Sequence, residues 1–146
     1  MSPLEIKATG SSKSKARSSN KPVKPKVQRA FDLEERTARF GEDVVRFTRT
    51  VTGDNISLPL ISQLVRSATS IGANYLEADG AESGRDFVHK ISIAKKEAKE
   101  TGHWLRTLAA ACPALRKECQ ELWREAHELT LILSSIVLKH RKEHLS

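Results

Sequence analysis

The sequence predicts an all-α protein: an antiparallel up-down-up-down four-helix bundle, residues 30–146, behind a disordered basic arm, residues 1–29. Three observations carry that prediction. Along four separate stretches the apolar residues recur at alternating steps of three and four, which lines one face of a helix. Aromatic residues make up only 5% of the chain, which suits helix packing better than an aromatic-rich β-sandwich. The links between the stretches are too short for anything but antiparallel neighbours, and 146 residues suit a single core.

The arm is set apart by composition. It holds six serines, Pro22 and Pro25 among lysines, and few large apolar groups, so burial cannot offset the entropy of ordering it. It also carries the charge imbalance. Residues 1–29 contain eight Lys/Arg against Glu5 alone, while the remainder balances at 17 basic and 17 acidic residues, so the net +7 belongs to the arm. Lys21, Lys24 and Lys26 are its candidate phosphate contacts, neutralising a polyanion without reading its sequence. A merely solubilising extension explains the same composition.

Helix one is expected from Asp32, an N-cap with Glu35 three positions later, and its seam is Leu33, Thr37, Phe40, Val44, Phe47 and Val51, ending near Gly53-Asp54. Helix two begins near Leu58, with Pro59 tolerated in its first turn. It buries Ile61, Leu64, Ala68, Ile71 and Tyr75 and stops at Asp79-Gly80. Helix three runs from Arg85 to Ala111 on the seam Phe87, Ile91, Ala94, Ala98, Thr101, Leu105 and Leu108. Pro113 then opens helix four, with Leu115, Cys119, Leu122, Ala126, Leu129, Leu133 and Ile136 inward and a charged end at 139–142. Gly41, Gly72 and Gly102 fall inside helices, where each costs about 1 kcal/mol against Ala unless a close approach requires it. Gly72, within the small-residue run 67–73, has the clearest reason.

Helix three supplies the sharpest functional feature. Arg85, His89, Ser92, Lys96, Lys99, His103 and Arg106 alternate at four and three, centred roughly 150° from the apolar seam. The row spans about 32 Å, enough to follow several phosphates of RNA or DNA. The competing explanation is an ordinary solvated face, with Lys96 and Glu100 as a weak i, i+4 pair. No aromatic interleaves the row, so base stacking is not indicated. Two further patterns suggest self-association. Leu131 and Leu138 lie roughly 170° from the helix-four seam, where one bundle cannot bury them. Gln63, Ser67, Ser70, Asn74 and Glu77 form a polar row on helix two, which suits either a hydrogen-bonded subunit contact or solvent.

Other chemistries find little footing. The longest apolar stretch, Leu129 to Leu138, falls well short of the ~20 residues of a membrane span. Cys112 and Cys119 lack Cys-x-x-Cys spacing and a neighbouring histidine. With no secretory signal ahead of them, they predict reduced thiols in the cytoplasm. His140 and His144 lie one turn apart but lack a third metal ligand. No strand precedes a glycine-rich phosphate loop. The expectation is therefore a non-enzyme without metal or cofactor.

The run Arg66-Ser67-Ala68-Thr69-Ser70-Ile71-Gly72-Ala73-Asn74-Tyr75-Leu76-Glu77-Ala78 carries a resemblance, together with Asp86-Phe87-Val88-His89-Lys90-Ile91, Lys96-Glu97-Ala98-Lys99-Glu100-Thr101 and Trp104-Leu105. Over about residues 31–140 the chain resembles the bacterial four-helix-bundle proteins encoded in intervening sequences of 23S rRNA genes, and is similar to the accessory variability proteins of diversity-generating retroelements. The resemblance implies a homo-oligomer, typically a pentamer with a central channel, and no known catalysis. For the retroelement relatives it implies binding to a reverse transcriptase and nucleic acid. Ser70, Gly72, Ala73 and Asn74 carry over as packing and capping residues, since none is titratable, and the arm at 1–29 departs from the family's short-chain pattern. Two functions are thus expected as alternatives: an electrostatic scaffold for structured RNA or DNA, or an interaction module that docks a partner polypeptide such as a reverse transcriptase.

Overall fold

The computed structural model describes residues 26–144, with side chains from 32 to 144, so Lys21 and Lys24 lie outside the described residues and Lys26 is placed by its backbone alone. Helix α1 spans Lys26–Arg49, α2 Ser57–Asp79, α3 Gly84–Ala111 and α4 Arg116–Glu143, the last entered through a single 3-10 turn at Pro113–Leu115. The expected fold class is therefore observed.

Helix α1 begins six residues before Asp32, which is an interior residue and not an N-cap. After Pro25 the run Lys-Val-Gln-Arg-Ala-Phe contains neither Gly nor Pro, so nothing in its propensity stops a helix there. At its other end α1 stops at Arg49, and Val51 lies in the link. Asp54, placed by sequence at the end of helix one, instead organises the start of α2. Its Oδ1 accepts the backbone N–H groups of Ile56 at 3.0 Å and Ser57 at 2.8 Å, and the Ser57 hydroxyl at 2.9 Å. Those donors hold the exposed carboxyl below its ordinary range. A depressed carboxylate contributes stability above its unfolded pKa of about 3.9, and that contribution is lost as pH falls through the folded value. Asp54→Asn should therefore lower the melting temperature at neutral pH and flatten its decline in acid; a parallel decline in both proteins would show that the charge contributes nothing. Ser83 is a second cap missed by pattern, accepting from Asp86 N–H at 3.0 Å.

The seams meet in one core. Leu33, Phe40 and Val44 of α1, Leu64, Ala68, Ile71 and Tyr75 of α2, Ile91, Ala94, Ala98, Leu105 and Leu108 of α3, and Cys119, Ala126, Leu129 and Leu133 of α4 are all buried. Phe47, Ile61, Phe87, Leu115, Leu122 and Ile136 pack partly buried around them. At the end of α4 Val137 takes the buried place expected of Ile136. A straight helix at 3.6 residues per turn drifts off a strict heptad, so steps of four replace the three.

Interactions across the helices fix their order. Thr101 donates to Ser67 at 2.9 Å, and Lys90 pairs with Glu77 at 2.6 Å, joining α2 to α3 in opposite directions. A Cβ on Gly72 would lie 3.4 Å from Ala38 N and Thr37 C, so the missing side chain lets α1 and α2 approach backbone to backbone, as the small-residue run predicted. Gly102 has an equally specific reason: its Cβ would meet Trp123 Nε1 of α4 at 3.1 Å. Arg36 of α1 donates to Glu125 at 2.7 and 2.8 Å and to Glu128 at 2.6 Å, which closes the bundle between α1 and α4.

One proposed interface residue must be reassigned. Ser67 is fully buried within this chain, where it accepts from Thr101 and donates to Leu64 O at 3.2 Å, so it belongs to the α2–α3 contact and not to a subunit interface. Its small hydroxyl satisfies itself on the preceding turn and costs the core little. Ser70 and Asn74 are half-buried and bond their own helix, Ser70 to Arg66 O at 2.7 Å and Asn74 Nδ2 to Ser70 O at 2.9 Å.

Candidate nucleic-acid interface

Every titratable member of the helix-three row is exposed: Arg85, His89, Lys96, Lys99, His103 and Arg106, with Ser92 half-buried between them. The seam on the opposite side of α3 sinks into the core, and the helix itself holds the row in register. What distinguishes this row from an ordinary mixed surface is the fate of the carboxylates on the same helix. Glu97 and Glu100 both turn toward α2, where Arg66 bonds Glu97 at 3.2 Å and also pairs with Glu100. Glu100 further accepts from Trp104 Nε1 at 2.8 Å, and these donors hold its carboxyl below the ordinary range. The weak Lys96–Glu100 pair of the solvated-face alternative is not formed, since Glu100 pairs with the Arg66 guanidinium instead. Among the described residues, Arg85, Lys96, Lys99 and Arg106 make no ion pair, so their charge is available to an outside anion.

Antiparallel packing extends this surface beyond α3. Its N-terminal end meets the C-terminal end of α4, where a pocket of about 530 Å³ is lined by Arg85, His140, Arg141 and His144. The His140 and His144 rings stack at 4.1 Å, and His144 Nδ1 lies 2.9 Å from His140 O. No group of three or more metal-ligating side chains occurs among the described residues. At the other end of the row Arg106 shares a groove with Arg116, Gln120 and Trp123 of α4. The sequence row missed these α4 partners because the pairing is tertiary. The local signal that could have found them is the i, i+4 spacing of Trp123 and His127, whose rings stack in the structure.

The α1–α4 side has the opposite character. Its groove, about 680 Å³, is lined by Asp32, Glu35, Asp43, Glu118, Glu121 and Glu125, tempered by Arg36 and Arg39. Among the described residues, exposed cations without ion-pair partners thus gather on α3, while carboxylates dominate the lining of the α1–α4 groove. Leu131 and Leu138 are 56% and 63% exposed, as expected of an outer face of α4 that this chain does not cover. Cys119 is buried and its thiol is pushed up to about 11 by desolvation, which fits a small core residue better than a nucleophile. No described helix is long and apolar enough to cross a membrane.

Comparison with known proteins agrees with the fold. Residues 29–135 match the family described as 23S rRNA-intervening sequence protein. Among solved structures, a protein of unknown function from the S23 ribosomal protein family of Bacteroides thetaiotaomicron superimposes with a TM-score of 0.68 at 30% identity, over 74% of this chain and 96% of that one. No curated protein matches.

Proposed function

The chain belongs to the 23S rRNA-intervening sequence protein family, and from that premise we propose that it is a non-enzymatic, homo-oligomeric scaffold that binds structured RNA or DNA electrostatically. The observation that carries this reading is the unpaired basic row of α3, whose neighbouring carboxylates Glu97 and Glu100 are drawn away by Arg66. A helix face that merely needed solubility would gain as much from mixed charge. The arm adds basic residues on the same chain, and a ring of copies, a pentamer as the resemblance implies, would multiply the row into a belt. Leu131 and Leu138, with Ser70 and Asn74, are the proposed contacts between copies. The same exposed leucines favour the second reading, a module that docks a partner polypeptide such as a reverse transcriptase.

The test is native mass spectrometry of the full chain together with sequencing of the nucleic acid that co-purifies at low salt. An oligomer carrying one dominant transcript, released as salt is raised, is the expected result. A monomer free of nucleic acid would overturn the scaffold, while a clean oligomer would shift the function to the protein partner.

A further inference from the structure

At the C-terminal end of the basic row, α3 and α4 enclose a groove of about 460 Å³, within the size range of small-ligand clefts, roughly 300–1,000 Å³. Its floor is apolar, with buried Leu105 of α3 and Cys119 of α4. Its rim carries Arg106 from α3 and Arg116 and Gln120 from α4. All three rim side chains are exposed, and neither arginine is in an ion pair among the described residues. One wall is Trp123, an indole left 41% exposed, whereas the other large aromatics among the described side chains are mostly covered.

The Trp123 ring is fixed on two sides. Its edge rests on the backbone of α3 at Gly102, where a Cβ would come within 3.1 Å of Nε1 and 3.3 Å of Cδ1. One ring face stacks on His127, centroids 4.9 Å apart and planes inclined by 8°. His127 follows Trp123 on α4, whereas Arg116 and Gln120, which line the groove with it, precede it; the second face therefore borders the groove. An indole held this way is a platform prepared for another flat ring, with little further entropy to lose.

We propose that this groove takes one unpaired nucleotide of a bound strand, its base stacked on Trp123 and its phosphate between Arg106 and Arg116. The assignment deepens the nucleic-acid reading of the row and rests on it in one respect, since Arg106 is the last member of the row and the first of the groove. A strand following α3 delivers its backbone to that guanidinium. Stacking needs only a π face, so the groove takes RNA and DNA alike and the Gln120 amide is the group placed to reach a base edge. Gly102 is the positioning residue: its missing side chain is what lets the platform lie against α3. The aromatic that α3 lacks is thus supplied across the groove by α4.

The experiment follows the indole Nε1–H resonance of Trp123 in the full chain, assigned by its disappearance in Trp123→Phe. The probes are a short oligoadenylate as RNA, the same length as DNA, an abasic strand of that length, and AMP. Both oligoadenylates should shift the Trp123 resonance and leave that of Trp104 in place, whereas the abasic strand binds without shifting it. Trp123→Leu should weaken oligoadenylate binding roughly ten- to a hundredfold and leave the abasic strand's affinity unchanged. Should that variant fold poorly, Arg116→Glu, an exposed change, should reduce the oligoadenylate-induced shift in its place. An undisturbed Trp123 in protein saturated with oligoadenylate overturns the groove and leaves the row standing. A Trp123 shift with AMP, in a protein that holds no strand in a salt-dependent way, supports the groove and removes the row.

Discussion

Truncating Leu105 to alanine should destabilise the bundle by about 2–5 kcal/mol, the range set by the loss of buried methylenes plus the cavity they leave. Leu105 is fully buried on the α3 seam, in register with Ala98, Thr101 and Leu108, which are buried with it. Little is placed to relax into the gap, because Gly102 and Ala109, one turn away on the same helix, are already small and Thr101 is tied to Ser67 and to Glu97 O at 2.7 Å. Chemical denaturation of a form diluted to a single subunit state measures the effect. Phe87→Ala should cost less than a comparable core phenylalanine, since Phe87 is only half-buried beside His140, with ring centroids 5.5 Å apart. Leu131→Ala, at an exposed site, should change subunit stability by no more than about 0.5 kcal/mol. Equal losses at Leu105 and Leu131 would mean that the α3 and α4 registers are wrong.

Those registers were legible because the buried residues repeat with the period of the helix itself. Phe40, Ile71, Ile91 and Leu129 each stand on a seam that extends three turns or more, and a long periodic signal tolerates local error. Helix ends carry no such redundancy. Asp32 reads as a cap because Glu35 follows it three positions later, yet a helix already running from Lys26 accommodates both as interior positions. Ser67 illustrates a different limit. A polar residue at heptad spacing reads as an outer row, but a hydroxyl that bonds the preceding turn can sit in the core, and only the opposing Thr101 reveals that it does. The basic row was readable for the same reason as the seams, being confined to one helix. Its continuation into Arg116 and Trp123 was not, because residues distant in sequence meet there only after α3 and α4 pack. Nor does any local rule show that Arg66, on another helix, would strip Glu97 and Glu100 from the row's surroundings.

The row is tested by reversing its charge where it is strongest. Lys96→Glu combined with Lys99→Glu should leave the fold intact, because both side chains are exposed and neither makes an ion pair among the described residues. Binding to nucleic acid should weaken across all sequences alike, since a phosphate contact carries no base information. Every phosphate that is no longer neutralised shallows the slope of log affinity against log salt by roughly 0.7–0.9, the lower value for single strands, so the double variant should be shallower by roughly 1.4–1.8. Deleting residues 1–25 keeps the whole of α1 and removes most of the arm's lysines; it should shallow the slope further, and the combined protein should bind more weakly than either change alone. Circular dichroism and native mass spectrometry check that helix content and subunit number survive. If the deletion abolishes binding while the double substitution leaves affinity and slope untouched, α3 is an ordinary solvated face, because a row that neutralised phosphates could not give up two of its cations and keep the same dependence on salt.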